Sequence, residues 1–116
     1  MALPSPIPAE LAEVIAQRLR AIGDPMRIRA LDLLRDGERS VAHTAQALGT
    51  SQQNASKHLA VLSQAGLVQR RKSGTTVWYS VADQSVFDLC EQVCGSIQRQ
   101  LTERAALMEG AAPAGR

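Results

Sequence analysis

"LGTSQQNASKHLAVLSQAGLVQRRKSGTTVWYSVAD", residues 48–83, decides the fold. Its apolar spacing changes once. Ala55, Leu59 and Leu62 recur every three or four positions, the period of a helix with one inward face. Beyond Gly66 the pattern becomes an alternation in which Val77, Tyr79 and Val81 point inward, as in a strand. Ser51 stands where a helix cap belongs, because its hydroxyl can accept an otherwise orphaned amide of the first turn. Gly66 stops that helix. "LVQRRK" and "TTVWYSV", joined at Ser73-Gly74, then predict a hairpin with a basic tip, and Thr75 and Thr76 suit a strand.

Upstream, "VAHTAQAL" makes two turns of helix between a cap at Ser40 and a stop at Gly49. "GDPMRIRALDLLRDG" opens with Asp24 as cap and Pro25 at the first helical position. Met26, Ile28, Leu31 and Leu34 supply its expected buried face, and Gly37 ends it. Before that, Leu11, Val14, Ile15, Leu19 and Ile22 mark a helix over 9–22, closed by Gly23. Downstream, Asp83 or Ser85 caps a long helix over 85–108. Residues 1–8, rich in proline, are expected to be a disordered lead, and 109–116 a flexible tail. There is no repeat and no linker long enough to divide the chain, so one domain is expected over 9–108. Two short helices around a tight turn (40–65), followed by a basic hairpin (67–81), predict a winged helix-turn-helix. The expected class is mostly α with a small β-hairpin, in the order α-α-α-α-β-β-α.

The net charge of +2 is bland until it is mapped. Between Glu38 and Asp83 there is no acid, and all 11 lie outside that stretch or at its edges. Inside it are Arg39, Lys57, Arg70, Arg71 and Lys72, a one-sided distribution that favours an anionic polymer. The capped helix at Ser51 offers a polar, acid-free end to a major groove, and its amide dipoles favour phosphate. Gln53 and Asn54 can each form paired hydrogen bonds to adenine, and Lys57 can reach guanine or phosphate. Arg70, Arg71, Lys72 and Ser73 can follow the backbone or enter the minor groove. Gln52, Ser56 and Thr75 complete the expected contact set. Ser51 is more securely a cap than a base contact. His58 is placed near phosphate, although packing at a helix junction is its more ordinary role. His43 is assigned none.

The same stretch resembles the core of the ArsR/SmtB family of bacterial metal- and stress-responsive repressors. The likeness is carried by the run from Ser51 through Ser56 to His58-Leu59, by "LSQAGLV" ending at Val68, by the basic wing, and by the aromatic strand end closing at Asp83. "GDPMRIRALDLL" is similar to the family's second-helix segment. The resemblance covers roughly 9–105 and implies a homodimer bound to two-fold-symmetric operator DNA, with repression relieved by an effector. Independently, Val86, Cys90, Val93, Ile97 and Leu101 recur along the last helix over more turns than a small core covers, so a partner helix is expected. The first and last helices are expected to build a shared dimer interface.

The family also implies metal sites. One is a cysteine motif in the first helix of the helix-turn-helix, where this chain has "ERSVAHTA" without cysteine. Another uses acids and histidines along the last helix. Asp83 matches its first position, but the others fall on Ser85, Ser96 and Arg99, which are not credible zinc ligands. There remain the only cysteines, Cys90 and Cys94, one helical turn apart on one face. They could bridge a thiophilic ion such as As(III), Hg(II) or Cd(II), with a third ligand from the other subunit. A sulfur or oxidant species acting on them as a redox-active pair is the other expected trigger, although a disulfide between them would require the helix to distort, because their Cβ atoms lie farther apart than that bond prefers. The flanking Asp88 and Glu91 favour a bound cation over an oxidant. The alternative is a DNA-binding regulator with no sensor site, its cysteines simply packed as small apolar residues.

Other classes fit poorly. Two histidines, no clustered carboxylates and no Gly-rich phosphate loop argue against an enzyme. Three aromatics are too few for an RNA-stacking surface and leave the core to aliphatic side chains. No apolar run has the length of a membrane span, and the N-terminus lacks a signal-peptide layout, so no membrane association and a cytoplasmic location are expected.

Overall fold

The computed structural model describes residues 2–111. Its elements are α1 (Ala9–Ile22), α2 (Pro25–Leu34), β1 (Arg39–Ser40), α3 (Val41–Leu48), α4 (Gln52–Gln64), β2 (Val68–Ser73), β3 (Thr76–Val81) and α5 (Ser85–Ala111). This is the expected winged helix-turn-helix with one addition. The order α-α-α-α-β-β-α omitted β1, which pairs antiparallel with β3 through Arg39↔Tyr79 and Ser40↔Trp78. Two residues carry no alternation of their own, so that strand exists only through its partner. The sheet runs β1-β3-β2.

The chain divides between Asp83 and Gln84 into two compact units. In the first unit, Ala30, Leu31 and Leu34 of α2 are buried with Ala45 and Leu48 of α3, Ala55, Leu59 and Leu62 of α4, and Val68 and Tyr79 of the sheet. Each such leucine contributes about 1.5–3 kcal/mol by leaving water. Thr44 is buried too, and its hydroxyl donates to the Ser40 carbonyl at 2.9 Å.

The caps form where local chemistry requires. Asp24, Ser40 and Ser51 each accept the backbone N–H three residues on. Ile28, expected on the buried face of α2, is exposed, and Val14 and Leu19 on α1 are exposed too. Of the three inward positions on β3 only Tyr79 is fully buried, while Val77 and Val81 are half-buried. The hairpin is barely covered beyond its root.

The second unit is α5. Val86 and Phe87 are buried at its start, whereas Leu89, Val93, Ile97 and Leu101 are exposed. The helix continues to Ala111, three residues past its expected end at 108. The rest of the expected tail, 112–116, and Met1 of the expected lead lie outside the described residues. Among the described residues no helix is long and apolar enough to cross a membrane.

Candidate nucleic-acid interface

The turn between α3 and α4 fixes the angle of the pair. Gly49 adopts φ 70°, and its N–H and that of Thr50 close the end of α3 onto Gln46 and Ala45. This left-handed C-terminal cap is one that residues with a Cβ adopt only at a cost. Two residues later the Ser51 hydroxyl accepts the Asn54 N–H at 3.0 Å and starts α4. Ala55 and Leu59 anchor that helix inward, which leaves Gln52, Gln53, Ser56 and Lys57 exposed.

Gln53 and Asn54, paired as base readers from sequence, sit differently. Gln53 is exposed, whereas Asn54 is half-buried and its Nδ2 donates to Thr50 Oγ1 at 2.9 Å. Asn54 thereby braces the turn. His58 is committed as well. Its Nδ1 lies 3.1 Å from Arg27 Nη1 and 3.8 Å from Asp24 Oδ2. Arg27 can only donate, so this nitrogen accepts. His58 sits at the α2–α4 junction, with Nδ1 engaged by Arg27. The Arg27 backbone N–H bonded to Asp24 lowers that carboxyl from its ordinary value, with the charge of Arg27 adding to the effect.

The wing is organised by the pleat. Val68↔Val81, Arg70↔Tyr79 and Lys72↔Val77 share one face, while Gln69↔Ser80, Arg71↔Trp78 and Ser73↔Thr76 share the other. The basic cluster read from sequence as one tip is therefore split, with Arg70 and Lys72 on one side and Arg71 on the opposite one. Gly74 and Thr75 form the two-residue loop, and Gly74 takes φ 60° there.

Arg71 has a partner that sequence reasoning missed. Its Nε and Nη2 donate to the two carboxylate oxygens of Glu38 at 2.9 and 2.7 Å. Its guanidinium lies 5.7 Å from the Trp78 ring centre, within cation–π range. The hydrogen bonds from Arg71 lower the Glu38 carboxyl from its ordinary value, and Glu38 raises Arg71 in return. In the sequence Glu38 only marked the edge of the acid-free stretch, and nothing local joins residues so far apart.

A groove of about 400 Å³ lies between the start of α3, the start of α4 and the hairpin end. Gln52, Gln53, Ser56 and Thr75 line it together. The cysteines lie in the other unit. Both are free thiols, Cys90 half-buried and Cys94 exposed. Among the described residues no group of three or more His, Cys, Asp or Glu side chains is placed to hold a metal ion. A thiophilic ion would find two ligands in this chain and require another from elsewhere.

The model of the arsR family of bacterial regulatory proteins matches residues 24–70. The solution structure of the homodimeric winged helix-turn-helix DNA-binding domain Mb0332 from Mycobacterium bovis superposes with a TM-score of 0.72 at 35% identity, covering 87% of this chain and 94% of that one. The chain belongs to the ArsR family. The crystal structure of Rv0081 from M. tuberculosis is similar to this ArsR-family chain with a TM-score of 0.73 at 30% identity, over 84% of this chain and 99% of that one. The M. tuberculosis repressor SmtB is 38% identical over 80 residues, 69% of this ArsR-family chain. The match spans 59% of that curated relative's length. The family consists of regulatory proteins, not enzymes.

Proposed function

We propose that this ArsR-family chain is a cytoplasmic, homodimeric transcriptional repressor that binds double-stranded operator DNA sequence-specifically. The observation that carries this reading is the groove flanked by the polar start of α4 and the wing, inside a stretch without acids. The α4 end enters a major groove. Gln53, the freer of the two amides, reads a base edge, Gln52, Ser56 and Lys57 flank it, and Asn54 holds the turn rigid. Arg70, Lys72, Ser73 and Thr75 meet the phosphate backbone, which positions the protein without reading sequence.

Two substitutions separate these roles in a binding assay run over several salt concentrations. Gln53→Ala is expected to relax preference at one operator position by about 1–3 kcal/mol. Lys72→Ala is expected to weaken binding on all sequences and to reduce the salt slope by about one. Equal losses on every sequence from both would overturn the groove assignment.

Dimerisation is supported by apolar side chains exposed in each unit, Val14 and Leu19 on α1 and Leu89, Val93, Ile97 and Leu101 on α5. Mb0332, a relative with the same fold, is a homodimer.

For the effector, the pair of half-buried Cys90 and exposed Cys94 supports operator release by a thiophilic metal or metalloid or by a sulfur or oxidant species. The competing reading, a regulator without a sensor site, is favoured by Cys90 lying half-buried on the apolar stripe. The double variant Cys90→Ser/Cys94→Ser decides between them. Under As(III), Hg(II), Cd(II) or peroxide it is expected to stay on the operator while the wild type releases. Identical release by both leaves the thiols a packing role only.

A further inference from the structure

We infer that Glu38 is a positioning residue for the wing: its carboxylate clasps Arg71 over Trp78, fixes the wing's angle and leaves phosphate contact to Arg70 and Lys72. The inference presupposes that the wing touches DNA. Its basis is the row formed by Ser40, Trp78 and Arg71, which are successive register partners across β1, β3 and β2. Glu38 immediately precedes β1, and its carboxylate reaches Arg71 in that row. β1 pairs with the hairpin through two residues. The carboxylate adds a second tie that spans all three strands, with one N–H on each of its oxygens.

The row also reaches the DNA-reading helices. Ser40 caps α3 through the His43 N–H at 3.0 Å, so the segment that grips the wing is the one that starts the helix-turn-helix. A phosphate approaching Arg71 would have to displace a bidentate carboxylate. Among the described residues Arg70 and Lys72, on the opposite face, pair with no acid.

The test uses the full chain with Glu38→Gln, Arg71→Ala, both together, and Lys72→Ala as the phosphate-contact reference. Operator affinity is measured over a range of salt, and Trp78, the only tryptophan, reports by fluorescence. Glu38→Gln and Arg71→Ala are each expected to weaken binding several-fold by similar factors with an unchanged salt slope, and the double variant to be no weaker than either. Lys72→Ala alone should lower the slope by about one. Tighter or unchanged binding by Glu38→Gln, or loss of about one unit of slope in Arg71→Ala, overturns the assignment. Trp78 emission tests the clasp without DNA. Matching shifts in Glu38→Gln and Arg71→Ala support it, and emission unchanged in both overturns it. If the wild type ignores every DNA fragment, the DNA-binding reading fails while the emission result still stands.

Discussion

Gln53 and Asn54 are neighbours in sequence and chemically alike, yet one is exposed at a groove and the other bonded to Thr50. The difference is local: Asn54 faces back to Thr50, four residues earlier and just before the Ser51 cap, whereas Gln53 points to the groove. What was legible at this scale was local. Asp24, Ser40 and Ser51 were recognisable as caps because a cap and its amide lie three residues apart. The partners of His58 and Arg71 were not, since Arg27 and Glu38 are more than thirty residues away along the chain. The Glu38 pair has a pH signature. Its carboxyl is held below the ordinary value, so the clasp is fully present above that value and is lost as pH falls through the lowered one. A titration of Trp78 emission is expected to show a midpoint below the usual glutamate range in the wild type and no such transition in Arg71→Ala. A transition shared by both would mean that some other acid is being observed.

At the scale of elements, periodicity located four helices and two strands before α5 because each runs long enough to show its period. The inward stripe of Ala55, Leu59 and Leu62 is the clearest case. The same reasoning over-assigned burial at Ile28 on α2, and on α1 Val14 and Leu19 likewise keep a helical rhythm while exposed. Apolar spacing shows which residues share a side of a helix and does not show whether anything covers that side. β1 was invisible for the opposite reason, being too short to have a pattern. The turn joining α3 and α4 offers a clean measurement. A Cβ at Gly49 would meet nothing within 4 Å, so Gly49→Ala adds no clash and only forces an L-residue into left-handed backbone. The expected loss is about 1–2 kcal/mol in urea unfolding, with the m-value unchanged. A neutral result would show that the turn relaxes to another shape.

For the whole molecule, the fold class and the helix-turn-helix were readable from one charge-asymmetric stretch. The long apolar stripe of α5 was visible in sequence, and its exposure is the reason to expect a second copy. Val93→Glu with Ile97→Glu puts two charges on that stripe. Sedimentation is expected to give monomers and operator affinity to collapse, since one half-site alone binds weakly. Dimers that persist would place the interface elsewhere. The sheet carries one last consequence. Its third strand reaches only Trp78 and Tyr79, so from Lys72 to Val77 the hairpin continues as a two-stranded ribbon. Mechanically the arm is a cantilever, stiff at its mounting and compliant at its free end. In the proposed complex, such an arm would adjust to the course of the phosphate backbone without disturbing the helices at its root.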